Sequence, residues 1–272
     1  MGLGRKIGFI GSGNMATAIV RGMLQQALVT PGEIYISDVN PDQVARVAEA
    51  TGVQPSRDNL ALTAAADIII LATKPQHVPG VMAEIRPALD PGRHVIVSIC
   101  AGVPTNKIEA AADTSGLPVV RVMPNTPALI SCGSAAISGG LHVTHEHLNL
   151  VTQIFDSVGT SVVVDEAKLD AVTGVSGSGP AYVFRFIEVL LEGARRRGLT
   201  DHEARVLVPQ MVLGAARMAV EDGRSLEDLR TAVTTPGGTT AAGLQVLEDG
   251  GFADLIARCI AAATERSREL GQ

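Results

Sequence analysis

Short apolar runs alternate with amphipathic segments through the first 165 residues of the chain. A continuous apolar run predicts a strand that is buried on both faces, whereas apolar residues three and four positions apart predict a helix. Strands are predicted at residues 6–10, 33–37, 67–72, 94–99, 119–122, 135–137 and 161–164, and helices at 16–24, 42–51, 78–88, 104–111 and 145–157. These repeated βα units predict an α/β domain with a Rossmann-like, doubly wound parallel sheet.

After residue 165 the pattern becomes helical. Helices are predicted at residues 185–197, 201–222, 225–233, 240–248 and 252–270. We therefore expect a dinucleotide-binding Rossmann domain over residues 1–165 and an all-helical domain over residues 166–272. The helix around residues 206–220 is apolar on more than one face, which indicates burial on all sides. A second copy of the chain supplies such burial most simply, so the pattern predicts dimerisation through this half.

Glycine and proline interrupt an apolar helical pattern at residues 176–180. In a helix interior, glycine is less favourable than alanine by about 1 kcal/mol and proline by about 3 kcal/mol. Such a break is usually held by a close backbone approach or by a ligand. An ordinary loop between two helices is the alternative.

The first predicted strand runs directly into Gly11-Ser-Gly13-Asn-Met-Ala16, and a helix follows. Strand, G-x-G-x-x-A and helix form the context that the dinucleotide-binding fingerprint requires. Gly11 suits the tight turn, Gly13 lets the backbone approach a pyrophosphate, and Ala16 permits close packing of helix on strand. The alternative is a tight turn that binds no ligand.

Asp38 ends the second predicted strand. An acidic residue at this place normally hydrogen-bonds the ribose hydroxyls of NAD, whereas small polar or basic residues suit NADP. The local chemistry therefore favours NADH. The alternative is a helix cap, because Asn40 and Pro41 open the next helix.

Ligands bind at the carboxyl ends of the strands in a sheet of this kind. The rule selects three more loops, at residues 73–76, 100–102 and 123–127. Lys74 can meet a phosphate or carboxylate as a point charge, or can be a solvated lysine before a helix. Asn125 lies between two prolines that stiffen its loop, which indicates that its side chain is positioned.

A glycine-rich turn at residues 234–244 (T-T-P-G-G-T-T-A-A-G-L) precedes a predicted helix. Adjacent glycines leave successive N–H groups uncovered, and the threonines supply hydroxyls. A turn that leads into a helix N-terminus suits an anion, although a plain helix cap is the alternative. With a dinucleotide fingerprint earlier in the chain, the anion interpretation is favoured over the plain cap.

Composition excludes several classes of protein. The net charge of −6 argues against a nucleic-acid partner, and no apolar run reaches the length of a membrane span. Three separated cysteines without a C-x-x-C pair fit a reducing cytoplasm. His142, His145 and His147 do not share one helix face, so no metal site is expected.

Four motifs stand in order along the chain: G-F-I-G-S-G-N-M-A at 8–16, K-P-Q at 74–76, R-V-M-P-N-T-P at 121–127, and the pair D-A-V-T-G-V-S-G-S-G-P-A-Y at 170–182 with V-T-T-P-G-G-T-T at 233–240. In these motifs the chain resembles the pyrroline-5-carboxylate reductase family. The first motif is generic to dinucleotide folds, whereas the last two are highly specific.

The resemblance implies hydride transfer from NAD(P)H to 1-pyrroline-5-carboxylate, which gives L-proline in the last step of proline biosynthesis. The cofactor-binding residues that it implies, together with those selected above, are Ile10, Gly11, Ser12, Gly13, Asn14, Met15, Asp38, Asn59, Ala72, Thr73, Lys74, Pro75, Cys100 and Ala101. The expected substrate-binding residues are Asn125, Ser178, Thr235, Pro236, Gly237, Gly238, Thr239 and Thr240. The resemblance implies that the loop at residues 235–240 holds the substrate carboxylate, since the pyrophosphate already has the N-terminal glycine turn. Thr240 is the expected catalytic residue, with its hydroxyl close to the ring nitrogen.

Cofactor and assembly expectations follow from the same resemblance. The family commonly has Ser or Asn at the position of Asp38, which is consistent with NADPH, so NADP is expected, with NAD an alternative because of Asp38. A cytoplasmic homodimer through the helical half is implied, and members of the family often assemble further into a decamer.

Two other functions stay open. A β-hydroxyacid dehydrogenase would need a catalytic lysine in the helical half. Lys168 is the only lysine after residue 165 in the sequence, and it lies outside a suitable motif, which makes this alternative weak. A non-catalytic sensor that binds dinucleotide is the second alternative.

Overall fold

The computed structural model describes residues 2–271 and contains one eight-stranded sheet. Its strands are β1 (Ile7–Ile10), β2 (Ile34–Ser37), β3 (Gln54–Pro55), β4 (Ile68–Leu71), β5 (Val95–Ser98), β6 (Val119–Met123), β7 (Gly133–Gly139) and β8 (Gly159–Val163). They are ordered β3-β2-β1-β4-β5-β6-β7-β8 across the sheet. The order grows outward from β1 in both directions, as a doubly wound α/β fold requires.

Helices cover both faces of the sheet. They are α1 (Asn14–Gln25), α2 (Pro41–Thr51), α3 (Asn59–Ala65), α4 (Val78–Ile85), α5 (Thr105–Ala112), α6 (His145–Asp156) and the short α7 (Leu169–Val172). Successive strand residues point to opposite faces, so Phe9 packs in the core that contains Ile19 of α1, and Ile10 packs in the core that contains Leu62 of α3. Fully burying each such side chain contributes about 1.5–3 kcal/mol.

One strand pair departs from the predicted parallel sheet. β7 runs antiparallel to β6, with Val122 opposite Ile137, while every other pair is parallel. The connection from β6 to β7 spans only residues 124–132, and a parallel crossover needs about a dozen residues or more. The short loop therefore returns the chain in the opposite direction, and the sheet is mixed.

Three short elements, β3, α3 and α7, lie outside the predicted strands and helices. β3 has only two residues, and α3 is a short helix of seven residues. The start of α3 has a local signal, because the Asp58 side chain accepts a hydrogen bond from Ala61 N at 2.6 Å. α3 places Asn59 at its first residue, directly after the polar loop that follows β3.

The chain divides into two compact units. The first holds the sheet and comprises the residues up to 178 and those from 262 onward, and the second comprises residues 179–261. The first unit thus extends past residue 165, where the domain boundary was predicted. Leu169 of α7 is fully buried in it, and Asn125 hydrogen-bonds Ser176, which attaches this segment to the sheet loops.

The second unit is entirely helical. It contains α8 (Gly179–Arg196), α9 (Asp201–Glu221), α10 (Leu226–Ala232), α11 (Thr239–Asp249) and the first half of α12 (Phe252–Gly271), with α8 packed on α9. Within residues 179–261, all of which are described, Ala204 alone is fully buried, whereas large apolar side chains such as Phe184, Val206 and Val220 are exposed. Contiguous exposed apolar faces of this kind mark an interaction surface.

The predicted break at residues 176–180 is a π-helical turn rather than a loop. It covers Thr173–Gly177, between α7 and α8, and Ser178 N donates to Thr173 O at 2.8 Å. A Cβ atom at Gly177 would lie 2.6 Å from Met123 Cε, the flexible end of a side chain on β6, so this turn packs beside the end of β6. Single π-helical turns are frequent at functional sites.

Candidate functional site

The glycine turn after β1 has the geometry of a phosphate-binding loop. Gly11 has φ +98°, and a Cβ atom there would lie 2.5 Å from Ala72 O. Gly13 has φ −67° and open space on its Cα, with no heavy atom within 4 Å of a Cβ built there. Gly13 caps α1 without a side-chain hydrogen bond. α1 thus begins without a side-chain cap, next to open space at Gly13, and the helix dipole favours an anion at such a start.

Asp38 is bound to this glycine turn. Its Oδ2 accepts hydrogen bonds from Ser12 N at 2.7 Å and from Ser12 Oγ at 3.1 Å, while Oδ1 accepts from Asn40 N at 3.0 Å. Gln43 Nε2 also donates to Ser12 O at 2.8 Å. The carboxylate therefore braces the turn, and it places a negative charge beside the segment where a ribose is expected.

Asn59 lies at the same edge of the sheet. Its Oδ1 accepts from Ser37 Oγ at 2.7 Å, and its Nδ2 donates to Glu84 Oε2 at 2.8 Å. Both ends of the Asn59 amide thus have partners, so the side chain joins the end of β2 to α4.

The loops after β4 and β5 are joined through Cys100. Its Sγ donates to Thr73 O at 3.2 Å, and burial raises the pKa of the Cys100 thiol. The thiol therefore stays protonated and acts as a buried spacer between the two loops. Lys74 and Ala101 are exposed next to this contact.

Asn125 is held by hydrogen bonds on both ends of its amide. Nδ2 donates to Ser134 Oγ at 2.9 Å and to Ser176 O at 3.2 Å, and Oδ1 accepts from Ser134 N at 2.9 Å. The Ser134 and Ser176 hydroxyl oxygens are 2.6 Å apart. Asn125 therefore ties the loop after β6 to the start of β7 and to the π-helical turn.

A cavity of about 650 Å³ lies within the first unit beside these loops. It is lined by Pro75, Gln76, Val78, Pro79, Ala101, Gly102, Val103, Lys107, Thr173, Ser178, Ala263, Arg266, Ser267, Leu270 and Gly271. Three predicted site residues, Pro75, Ala101 and Ser178, thus border one mainly apolar space. Such a space suits a flat organic ring.

The predicted carboxylate loop lies in the second unit. Gly238 N donates to Thr235 O at 2.9 Å, which closes a turn, and Gly237 at its third position has φ +70°. Gly238 then caps α11 without a side-chain hydrogen bond, so Thr239 and Thr240 are the first helical residues and are exposed. An open helix N-terminus with two hydroxyls is chemically suited to a carboxylate.

The structure brings the predicted cofactor residues together at the carboxyl ends of β1, β2, β4 and β5, with Asn59 at the start of α3. Asn125 and Ser178 belong to the same unit, and residues 235–240 belong to the other. Sequence analysis missed Gln43, Ser134 and Ser176, since hydrogen-bond partners on distant elements leave no signal in the sequence.

Residues 2–271 contain no group of three histidine, cysteine or acidic side chains that could hold a metal ion. None of the helices in this described part of the chain is both long and apolar enough to span a bilayer.

A mixed doubly wound sheet with an open glycine turn at its carboxyl edge defines the class of Rossmann-type dinucleotide-binding proteins. Residues 6–102 match a family model described as NADP oxidoreductase coenzyme F420-dependent, and residues 166–270 match pyrroline-5-carboxylate reductase dimerisation. A pyrroline-5-carboxylate reductase of Methanosarcina acetivorans is 40% identical over 268 residues, which are 98% of each chain. The chain belongs to the pyrroline-5-carboxylate reductase family.

Solved structures agree with this assignment. A pyrroline-5-carboxylate reductase of Coxiella burnetii has a TM-score of 0.94 and 36% identity, and the match covers 98% of this chain and 99% of that one. A Plasmodium falciparum pyrroline carboxylate reductase with NADP bound has a TM-score of 0.85 and 30% identity over the whole of both chains.

Proposed function

We propose that the protein reduces 1-pyrroline-5-carboxylate to L-proline, the final step of proline biosynthesis. The hydride adds to the C5 carbon of the cyclic imine, the C=N π electrons become a lone pair on nitrogen, and that nitrogen receives a proton. The observation that carries this proposal is the match over 98% of both chains to the pyrroline-5-carboxylate reductase of Methanosarcina acetivorans, a match that extends over the loop at residues 235–240.

NAD(P)H supplies the hydride when it is bound. The open space at Gly13 and the uncapped start of α1 fit its pyrophosphate, with Gly11, Ser12, Asn14 and Met15 around it. NADP is supported by the bound cofactor of the Plasmodium falciparum relative. The carboxylate of Asp38 favours NADH, because it would repel a 2′-phosphate and accept a hydrogen bond from a ribose hydroxyl.

The loop at residues 235–240 is proposed to hold the substrate carboxylate. Its support is the closed turn, the positive φ of Gly237 and the open N-terminus of α11. Thr240 is proposed as the catalytic residue, whose hydroxyl hydrogen-bonds the imine nitrogen while water supplies the proton. Fixing the ring in this way turns a bimolecular encounter into an oriented transfer.

Asn125 and Ser178 are also proposed to serve the substrate. The amide of Asn125 is fully engaged with Ser134 and Ser176, so its contribution is to hold the loop after β6 in place. Ser178 borders the cavity beside Ala101 and has its N–H bonded to Thr173 O. Its hydroxyl is the polar group proposed to face the ligand.

A cytoplasmic homodimer through the helical half is proposed, with a decamer as its further assembly. Support comes from the match to a dimerisation region and from the exposed apolar faces of α8 and α9. Light scattering should give twice the chain mass or a multiple of it. Val206→Glu places a charge on the exposed face and should shift the protein towards the chain mass.

The direct test is oxidation of NADPH and NADH in the presence of pyrroline-5-carboxylate, with proline identified as the product. Thr240→Ala should lower kcat by about 10²-fold, the contribution of one hydrogen-bonding catalytic group, and Thr240→Ser should restore most of it. Thr231→Val removes an exposed hydroxyl group from α10 and is the matched control. Tight dinucleotide binding without turnover would instead favour the sensor hypothesis.

A further inference from the structure

The Glu166 carboxylate connects three segments of the first unit. It lies just after β8, and its Oε1 accepts hydrogen bonds from Thr105 N at 2.8 Å and from Arg121 Nη1 at 3.3 Å. Its Oε2 accepts from Thr105 Oγ1 at 2.6 Å. One side chain therefore holds the start of α5 and the middle of β6 together.

Thr105 is the first residue of α5, and the residue before it, Pro104, makes no side-chain cap. Glu166 therefore caps α5 from a distant part of the chain, where its negative charge is favoured by the helix dipole. The loop that enters α5 contains Cys100, Ala101 and Gly102.

That loop has two other attachments. Cys100 Sγ bonds Thr73 O at its start, and Gly102, with φ +74°, lies against the last turn of α12, where a Cβ atom would be 3.4 Å from Leu270. Both are attachments of neutral groups. Glu166 provides the charged attachment, at the end of the loop.

Arg121 is the positively charged residue that the Glu166 carboxylate neutralises. Its side chain is only 8% exposed, and its ion pair is with Glu166, which is 29% exposed. A carboxylate that neutralises a nearly buried guanidinium is strongly held in place, because removing one partner leaves the other charge buried. The ion pair thus fixes the carboxylate that caps α5.

We infer that Glu166 is a positioning residue for the nicotinamide end of the dinucleotide, through its hold on the loop that carries Ala101. The inference rests on the proposed function for the identity of the ligand. With the pyrophosphate at the turn after β1 and the adenosine ribose at the end of β2, the loops after β4 and β5, on the other side of β1, are left for the nicotinamide end. Loss of the cap frees the end of the loop, and binding must then order it again. The adenosine end, at Gly13 and Asp38, keeps its own contacts.

Glu166→Met, which removes both acceptor oxygens, tests this inference by titration of NADPH and NADH fluorescence and by calorimetric titration of 2′,5′-ADP and ADP, which lack nicotinamide. We expect the Kd of the complete dinucleotides to rise by about tenfold, the factor that corresponds to loss of a helix cap, with the Kd of the fragments unchanged. Equal weakening of dinucleotides and fragments, or no weakening, would overturn the inference. Asp165→Leu is the matched control, since the ion pair of Asp165 is with exposed Lys168.

Two further variants separate positioning from stability. Arg121→Met keeps both bonds from Thr105 to Glu166 but removes the ion pair that fixes the carboxylate, so the Kd for NADPH should rise by less than in Glu166→Met. The double variant Arg121→Met/Glu166→Met removes both charges and should recover the melting temperature lost by Glu166→Met, yet bind NADPH as weakly as that single variant. Affinity that returned with stability would refute positioning. Binding is measured without substrate, so failure to reduce pyrroline-5-carboxylate would count against the proposed function alone.

Discussion

Adding a methyl group to Gly13 separates ligand binding at the glycine turn from folding of the turn. A Cβ atom at Gly13 meets no heavy atom within 4 Å, and alanine adopts φ −67° freely. Alanine restricts the unfolded chain, which stabilises by about 0.4–1 kcal/mol, and it is a poorer helix cap than glycine by a similar amount. The two effects nearly cancel, so Gly13→Ala should change the melting temperature by less than about 2 °C.

Binding should respond very differently. The added methyl group occupies the space through which a pyrophosphate reaches the first N–H groups of α1. A hydrogen bond to a charged group contributes about 1.5–3 kcal/mol, so loss of one such bond raises Kd by about 10- to 150-fold. Fluorescence titration with NADPH and NADH measures this Kd directly.

Gly11→Ala is the control for folding. Gly11 has φ +98°, and its added Cβ would lie 2.5 Å from the carbonyl oxygen of Ala72, so this variant should lose stability as well as binding. The reasoning is refuted if Gly13→Ala binds dinucleotide like the wild type. It is also refuted if Gly13→Ala loses as much stability as Gly11→Ala.

Three further outcomes are expected. Asp38→Asn keeps an acceptor for Ser12 N but removes the charge. The ratio of kcat/KM for NADPH to that for NADH should therefore rise by about tenfold, which corresponds to about 1.4 kcal/mol of repulsion. An unchanged ratio would show that the carboxylate does not contact the cofactor. Gly22→Ala should lower the free energy of unfolding in urea by about 1–3 kcal/mol, because its Cβ would lie 2.3 Å from Val158 Cγ1. An unchanged free energy of unfolding would mean that α1 and Val158 move apart at no cost. Burial lowers the pKa of His94 from 6.5, so the unfolded chain binds the proton more readily and stability should fall as pH decreases below about 6.5. His94→Asn should flatten that part of the unfolding free energy against pH, and an unaltered slope would assign it to other groups.

Periodicity predicted the long elements well, because each central strand is a continuous apolar run between turn residues. α9 is predicted at residues 201–222 and observed at Asp201–Glu221. The start of α8 was predicted wrongly, at residue 185, because the glycines and proline before it conceal a helix that begins at Gly179. β3 was missed, since two residues that end in proline show no period. The antiparallel β7 follows from the length of one loop, a property that strand patterns do not contain.

At the site too, local backbone features could be predicted, whereas contacts between distant segments could not. Gly11 and Gly13 could be assigned from local sequence, because backbone conformation and open space are local demands. Asn125 was expected to be positioned, and the two prolines beside it indicated this. Its partners Ser134 and Ser176 could not be predicted, because the contact depends on how β7 and the π-helical turn meet in space.

The exposed apolar faces of residues 179–261 have a consequence for how the protein becomes active. A unit with a single fully buried residue, Ala204, cannot hold its helices together by its own core, so its folding is completed by association. Recovery of the native helical half after dilution from denaturant should then be second order in chain concentration. Because the loop at residues 235–240 lies in that half, newly made chains at low abundance would carry a formed glycine turn before this loop takes its native form.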